Sequence, residues 1–208
     1  MTQSPDRNPE QLFPPDALSL GHDGWKWRVA QTKSRREKKL AEFLAEQAIA
    51  YYLPLIKRKQ PSGKRTRFSF VPAFGNYVFV KASDNQRYLA FRSNHVARFI
   101  EVRDQERLLR ELLQVRTALS AEDRVYPYDY VSQGQRVRIA RGPLRDLEGV
   151  VQRKKGGYRL VLSVSSILSA VAMDIEAELV EPIPDERQAG LLAARASRLS
   201  GRGDASGY

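Results

Sequence analysis

The chain has 208 residues, with 35 Lys/Arg against 24 Asp/Glu, a formal charge of +11 and a pI near 10.0. That surplus calls for an acidic partner, nucleic acid first and an anionic membrane second. The absence of cysteine excludes disulfides, thiolate metal sites and cysteine nucleophiles, and fits a reducing cytoplasm. No apolar run reaches the ~18 residues of a transmembrane helix, so none is expected. The acidic start (Asp6, Glu10, Asp16, Asp23) has the wrong sign for a secretory signal.

Residues 1–24 are polar and proline-bearing, without helical or strand period, and are expected to form a flexible extension. Trp25 to Ala30 reads as a first strand. Ser34-Arg35-Arg36-Glu37 is a capping-box pattern that opens a helix, and Leu40, Phe43 and Leu44 give it one apolar and one basic face. Ile49 to Leu55 reads as a second strand ended by a charged loop. Phe68 to Val80 holds a strand pair or a bent strand, broken near Pro72 and Gly75. Asp84 caps a short helix through Arg92, and Val96 to Val102 is extended. Asp104 opens a longer helix with Leu108, Leu109, Leu112, Val115 and Leu119 on one side. Its carboxylates Glu106 and Glu111 are expected to face solvent. This order predicts an α/β sandwich over 25–119, an antiparallel sheet flanked by helices.

Residues 120–131 are acidic, carry Pro127 and three tyrosines, and are read as a linker. Beyond them the texture changes. Val137 and Ile139 alternate with charges, Gly142-Pro143 and Gly156-Gly157 make turns, and Leu160, Leu162 and Val164 alternate again. Short strands separated by glycine turns predict a small β-barrel over 132–183. Residues 184–208 are rich in Arg, Ala, Ser and Gly and are read as a flexible tail. The fold class is therefore α+β, with a sandwich followed by a barrel.

The positive charge is concentrated in the first domain. Residues 25–116 hold 21 Lys/Arg against 8 Asp/Glu, whereas 132–183 hold 8 against 6. The densest run is Lys57, Arg58 and Lys59 with Lys64, Arg65 and Arg67. A loop of cations without acids suits a phosphate backbone, where counterion release supplies affinity without base reading. A solvated, solubilising loop is the bland alternative. Lys33, Arg35, Arg36, Lys38 and Lys39 at the first helix shift the balance toward nucleic-acid contact.

Gly63-Lys64-Arg65-Thr66 resembles the end of a phosphate-binding loop but lacks the first glycine and the Ser/Thr after lysine, so an NTPase is rejected. The two histidines, His22 and His95, make no metal pair, and no Gly-x-Ser-x-Gly elbow occurs. No enzyme and no cofactor are expected. Arg202-Gly203-Asp204 is a chance integrin tripeptide.

In Phe74-Gly75-Asn76-Tyr77-Val78-Phe79-Val80, strand alternation puts Tyr77 and Phe79 on one face and Val78 and Val80 on the other. Two apolar faces mean burial on both sides or an exposed groove. Tyr51 and Tyr52 add aromatic surface from a neighbouring strand.

Two stretches together resemble the NusG family of transcription factors. Trp27 to Leu44, with Thr32-Lys33 and the basic Glu-Lys-Lys helix start, is similar to the opening of the NusG N-terminal domain. Val71-Pro72-Ala73-Phe74-Gly75-Asn76-Tyr77-Val78-Phe79-Val80 is similar to its Pro-x-Phe-Pro-Gly-Tyr-x-Phe-Val strand. Val137-Arg138-Ile139 followed by Gly142 to Val151 resembles a KOW motif, the signature of an SH3-like barrel. Gly75-Asn76 stands where Pro-Gly is usual, and Leu144 and Asp146 stand where Phe and Gly are common. Asn76 and the stretch from Asn85 to Ile100 resemble the specialised RfaH- and UpxY-like paralogues.

The resemblance implies a cytoplasmic, monomeric elongation or antitermination factor. It would bind the clamp helices of the largest RNA polymerase subunit and adjacent upstream or non-template DNA, suppressing pausing or termination. Phe74, Tyr77 and Phe79, with Tyr51 and Tyr52 beside them, would line the polymerase-binding depression. Lys33, Arg35, Arg36, Lys57, Arg58, Lys59, Lys64, Arg65, Arg67 and Arg87 would lie along nucleic acid, Arg87 with Tyr88 near the opposite side of the cleft. The KOW barrel would recruit a ribosomal protein of the small subunit or Rho. The rival reading is a KOW-type RNA-binding protein in ribosome assembly or translation. It predicts the basic patch on the barrel, opposite to the charge count.

Overall fold

A computed structural model describes residues 8–18, 25–62, 65–121, 124–129, 134–154 and 157–183. The first sheet has five antiparallel strands in the order β1-β3-β6-β2-β7, with β1 Leu12–Phe13, β2 Lys26–Thr32, β3 Ala50–Tyr52, β6 Tyr77–Ala82 and β7 Val96–Glu101. Between β3 and β6 the chain makes a separate two-stranded ribbon, β4 Leu55–Ser62 and β5 Arg65–Pro72. The helices are α1 Glu37–Glu46, α2 Asp84–Arg92 and α3 Gln105–Ala121.

Alternation along β6 sorts its side chains into two cores. Val78 and Val80 join Tyr51, Leu40 and Leu44 on the α1 side. Phe79 joins Tyr52, Phe74 and the α3 residues Leu108, Leu112 and Val115 on the other. Of the two arrangements left open by the sequence, burial on both faces is the one adopted. Each such side chain contributes about 1.5–3 kcal/mol of apolar burial, which is why so short a strand can be the centre of the sheet.

The helix starts differ from expectation in instructive ways. No capping box forms at Ser34; α1 begins after Arg36, which makes no side-chain cap, and Arg35 takes a positive φ of 57°. Glu37 turns inward and accepts a hydrogen bond from the Asn76 amide at 2.7 Å. At α2 the cap is Ser83 rather than Asp84: its hydroxyl accepts from the Gln86 amide, and its own amide donates to the Gln86 carbonyl oxygen Oε1. Asp104 behaves as read, accepting from the Arg107 amide at 2.9 Å.

The N-terminal residues are not all irregular. Residues 12 and 13 pair with Tyr52 and Tyr51 as an edge strand, Phe13 stacks on Tyr51 at 6.2 Å, and Ala17 and Leu18 are fully buried. This corrects the reading of a flexible extension for 8–18; the rest of 1–24 lies outside the described residues. The charged loop expected after the second strand is likewise a paired ribbon through Ser62 and Arg65.

The second sheet has six antiparallel strands in the order β13-β9-β10-β11-β12-β8: β8 Tyr126–Asp129, β9 Gln135–Ile139, β10 Glu148–Lys154, β11 Gly157–Val164, β12 Ser169–Ile175 and β13 Val180–Pro182. Its ladder ends at β8 and β13, so among the described residues the hydrogen bonding does not close a barrel. Strand β8 comes from the expected linker, and its tyrosines are structural. The Arg159 guanidinium lies 5.3 Å from the Tyr126 ring and 4.8 Å from the Tyr128 ring, and the Tyr126 hydroxyl donates to Asp174. Gly149 has no room for a side chain, since a Cβ there would sit 2.7 Å from the Val161 carbonyl oxygen.

The two sheets share α3. Leu108, Leu112 and Val115 belong to the same apolar cluster as Val164, Ile167 and Val171. Glu111 is not solvent-facing as expected. Its carboxylate accepts from the Ser165 amide at 3.0 Å and hydroxyl at 2.6 Å, and the Gln114 side chain accepts from the Glu148 amide at 3.1 Å. The expected tail, 184–208, lies outside the described residues.

Candidate nucleic-acid and partner interface

Lys33, Arg35 and Arg36 stand exposed in the turn before α1. Their field is felt at His95, whose pKa is lowered first by burial and then by Arg36, Lys39 and Lys33. The Lys33 ammonium donates to the Asn94 side chain, so part of this cluster is held in place. Lys38 joins three elements: it donates to the Phe70 carbonyl of the ribbon and to the Asn8 side chain of the N-terminal arm, both at 2.7 Å.

That bond roots the ribbon beside the basic turn. Lys57, Arg58 and Lys59 are exposed on β4. Arg65 and Arg67 occupy β5 opposite Ser62 and Gln60, and Lys64 lies outside the described residues. No acidic residue occurs between Glu46 and Asp84, so cations on the ribbon are not offset from within its own stretch. The register sets Lys57 opposite Phe70 and Lys59 opposite Phe68. Both phenylalanines are exposed, at 40% and 58%, and the Lys57 ammonium sits 5.0 Å over the Phe68 ring. Sequence reading passed over these two rings, although Arg65 to Pro72 has the alternation that would have displayed them.

The aromatic group divides. Phe74, Phe79 and Tyr52 meet, with Phe74 edge-on to Phe79 at 5.9 Å and Tyr52 tilted against Phe79 at 6.4 Å. Tyr51 faces the other core. All four are at most 2% exposed, and only Tyr77 of the five is half-buried. In this conformation the four buried rings are not available to a partner. Burial raises the pKa of Tyr51 from 10.0 to about 12, Glu10 and Glu42 adding to the effect, and raises Tyr52 further against the pull of Arg116.

Arg87 lies on α2 within 3.8 Å of Asp84. The same helix exposes Tyr88, Leu89 and Phe91, an apolar surface of which the sequence reading singled out only Tyr88, with Arg92 packed 6.0 Å over Tyr88. Among the described residues no helix is long and apolar enough to cross a membrane.

The structure thus ties α1 to the root of the ribbon, leaves cations exposed on both, buries four of the five aromatic residues, and puts Arg87 on α2. Residues 25–116 match the family model described as "NusG: Transcription termination factor nusG". The match runs from β2 into α3 and contains the basic turn, the ribbon and the aromatic strand, and it supports a NusG-type factor. No curated protein matches the chain significantly.

Proposed function

We propose that the chain is a transcription elongation or antitermination factor that binds the RNA polymerase clamp and the adjacent upstream or non-template DNA. The observation that carries this reading is the family match over 25–116, the stretch that also holds these exposed cations. The protein acts by binding, without chemistry of its own. Lys33, Arg35, Arg36 and the ribbon cations lie along phosphate, and polymerase docks near Tyr77, the accessible member of the aromatic group. Docking that uses Phe74, Phe79, Tyr51 or Tyr52 requires the layers over them to open. The second sheet is the place of the KOW unit and its further partner, a small-subunit ribosomal protein or Rho. Gly75-Asn76 favours a specialised paralogue over the housekeeping factor.

The test is retention of core RNA polymerase on the immobilised full chain, beside a Tyr77→Ala variant shown by circular dichroism to be folded. Retention by the native chain and weakening in the variant supports the reading; shortened pauses in single-round transcription would extend it to function. Failure of the native chain to retain polymerase removes the reading and makes ribosomal RNA the next bait.

A further inference from the structure

We propose that the Lys57/Lys59/Phe68/Phe70 face of the ribbon binds an unpaired polynucleotide strand, bases stacking on the phenylalanines and phosphates meeting the lysines. The inference rests on the nucleic-acid half of the function proposed above and specifies the state of the ligand.

Exposure is the first argument. Phe68 and Phe70 are 58% and 40% exposed on a ribbon that pairs with neither sheet. An isolated two-stranded unit gains little from its own packing, and exposed large apolar groups weaken it further unless something covers them. The Lys57 ammonium over Phe68 covers one ring in part and leaves the rest open.

The second argument is pattern. Lys57 faces Phe70 and Lys59 faces Phe68, so cations and rings alternate across one face. Aromatic platforms beside a phosphate-tracking basic surface are the chemistry of single-strand binding. Rings two residues apart on a strand are roughly 6.6 Å apart along it. That is about twice the 3.4 Å rise per nucleotide of a duplex strand. Neighbouring bases reaching both rings must therefore be unstacked, a condition that a duplex does not meet.

Position separates this from a membrane site. Phe70 is at the root of the ribbon, where its carbonyl accepts from Lys38, and the paired backbone runs on past both rings to Ser62 and Arg65. Insertion into a bilayer would need the rings at the tip.

The experiment is fluorescence anisotropy of the full-length protein with a labelled 20-nucleotide oligo-dT, its oligo-rU counterpart and a 20-base-pair duplex, with phosphatidylserine vesicles as a further arm. Variants are Phe68→Ala/Phe70→Ala and Phe68→Trp/Phe70→Trp, each checked by circular dichroism. The expected result is preference for single strands, a loss of roughly tenfold or more in the alanine variant, retention in the tryptophan variant, and duplex affinity changed less than about twofold. Equal binding of single strand and duplex, insensitive to the rings, overturns this inference and leaves the electrostatic contact standing. Ring-dependent binding of vesicles alone overturns it in favour of a lipid surface. Absence of binding to any nucleic acid overturns it together with the nucleic-acid half of the proposed function, while polymerase retention is judged separately.

Discussion

The Glu37 carboxylate accepts a 2.7 Å hydrogen bond from the Asn76 amide, tying the first turn of α1 to the tight turn that precedes the central strand β6. The two residues come from the two stretches of the first domain whose sequence resembles one family. Asn76 has φ 64°, the left-handed region that Asn and Gly tolerate, and its carbonyl in turn accepts from Thr32 at 2.8 Å. Glu37→Ala leaves a half-buried amide without its acceptor and should cost about 1.5–3 kcal/mol in urea denaturation. Asn76→Gly should be within about 1 kcal/mol of the native protein, and Asn76→Val far worse, because a β-branched side chain resists positive φ. Equal losses for Gly and Val would show that the turn's backbone conformation is not the constraint.

Arg28 is a buried cation of the first sheet, joined to the Ala82 carbonyl at 2.7 Å, Asp84 at 2.8 Å and Glu101 at 3.0 Å. It thereby connects β2 to β7 and to the start of α2. Both carboxylates are well exposed, so removing the arginine leaves them solvated and the penalty moderate. Arg28→Met should lower stability by about 1–3 kcal/mol, chiefly through the unpaired Ala82 carbonyl. Arg28→Lys should recover less than half, since one ammonium cannot reach three acceptors in a fork. Thermal melts of the two variants decide it, and full rescue by lysine would mean that charge alone matters.

Glu111 joins α3 to the second sheet through the Ser165 amide and hydroxyl. Glu111→Ala strands that amide, and the expected loss is about 1–3 kcal/mol. Because α3 serves both sheets, the native chain should melt in one transition and the variant should begin to separate into two by differential scanning calorimetry. Two transitions already present in the native protein would show that the shared helix does not couple the sheets.

Burial holds the Tyr51 hydroxyl up to about 12 and Tyr52 higher, against 10.0 for an unperturbed tyrosine. Between those values the folded state retains protons that the unfolded chain releases. Stability is thus fully present below about pH 10 and falls as pH rises toward the folded values. The melting temperature should decline above pH 10, and Tyr51→Phe/Tyr52→Phe should flatten that decline. A tyrosinate absorbance near pH 10 that is larger in the native protein than in the variant, with both still folded, would contradict it.

The strands and helices that pack by period were legible. Leu108, Leu112 and Val115 announce α3, and the alternation from Tyr77 to Val80 announces β6, because burial there follows local spacing. What was not legible depends on partners distant in sequence. Lys57 to Lys59 look like a loop until Phe68 to Phe70 pair with them. Tyr126 and Tyr128 look like a linker until Arg159 lies between their rings. At the site, charge was readable, since Lys33, Arg35, Arg36 and Lys57 to Lys59 are all exposed. Accessibility was not. Phe74 and Phe79 have the composition of an interface and the burial of a core, and only the layers over them decide between the two.

The N-terminal arm shows the same dependence on distant partners and is open to a direct test. The Leu53 amide donates to the Gln11 carbonyl at 2.7 Å, the Leu55 amide to the Gln11 side chain at 2.9 Å, and the Tyr51 hydroxyl to the Glu10 carbonyl at 2.9 Å. The arm thus covers the outer edge of β3 and, through Leu18 at 1% exposure, part of the core beneath. Leu18→Ala should cost about 2–5 kcal/mol, the range for a buried leucine. Deleting residues 1–18 should strip hydrogen-exchange protection from the Leu53 and Leu55 amides while the Val29 amide, in the interior strand β2, keeps most of its own. If Leu53 exchanges at the same rate with and without the arm, the edge pairing contributes nothing to the fold, and the apolar face beside Tyr52 must be closed by α3 and the second sheet alone.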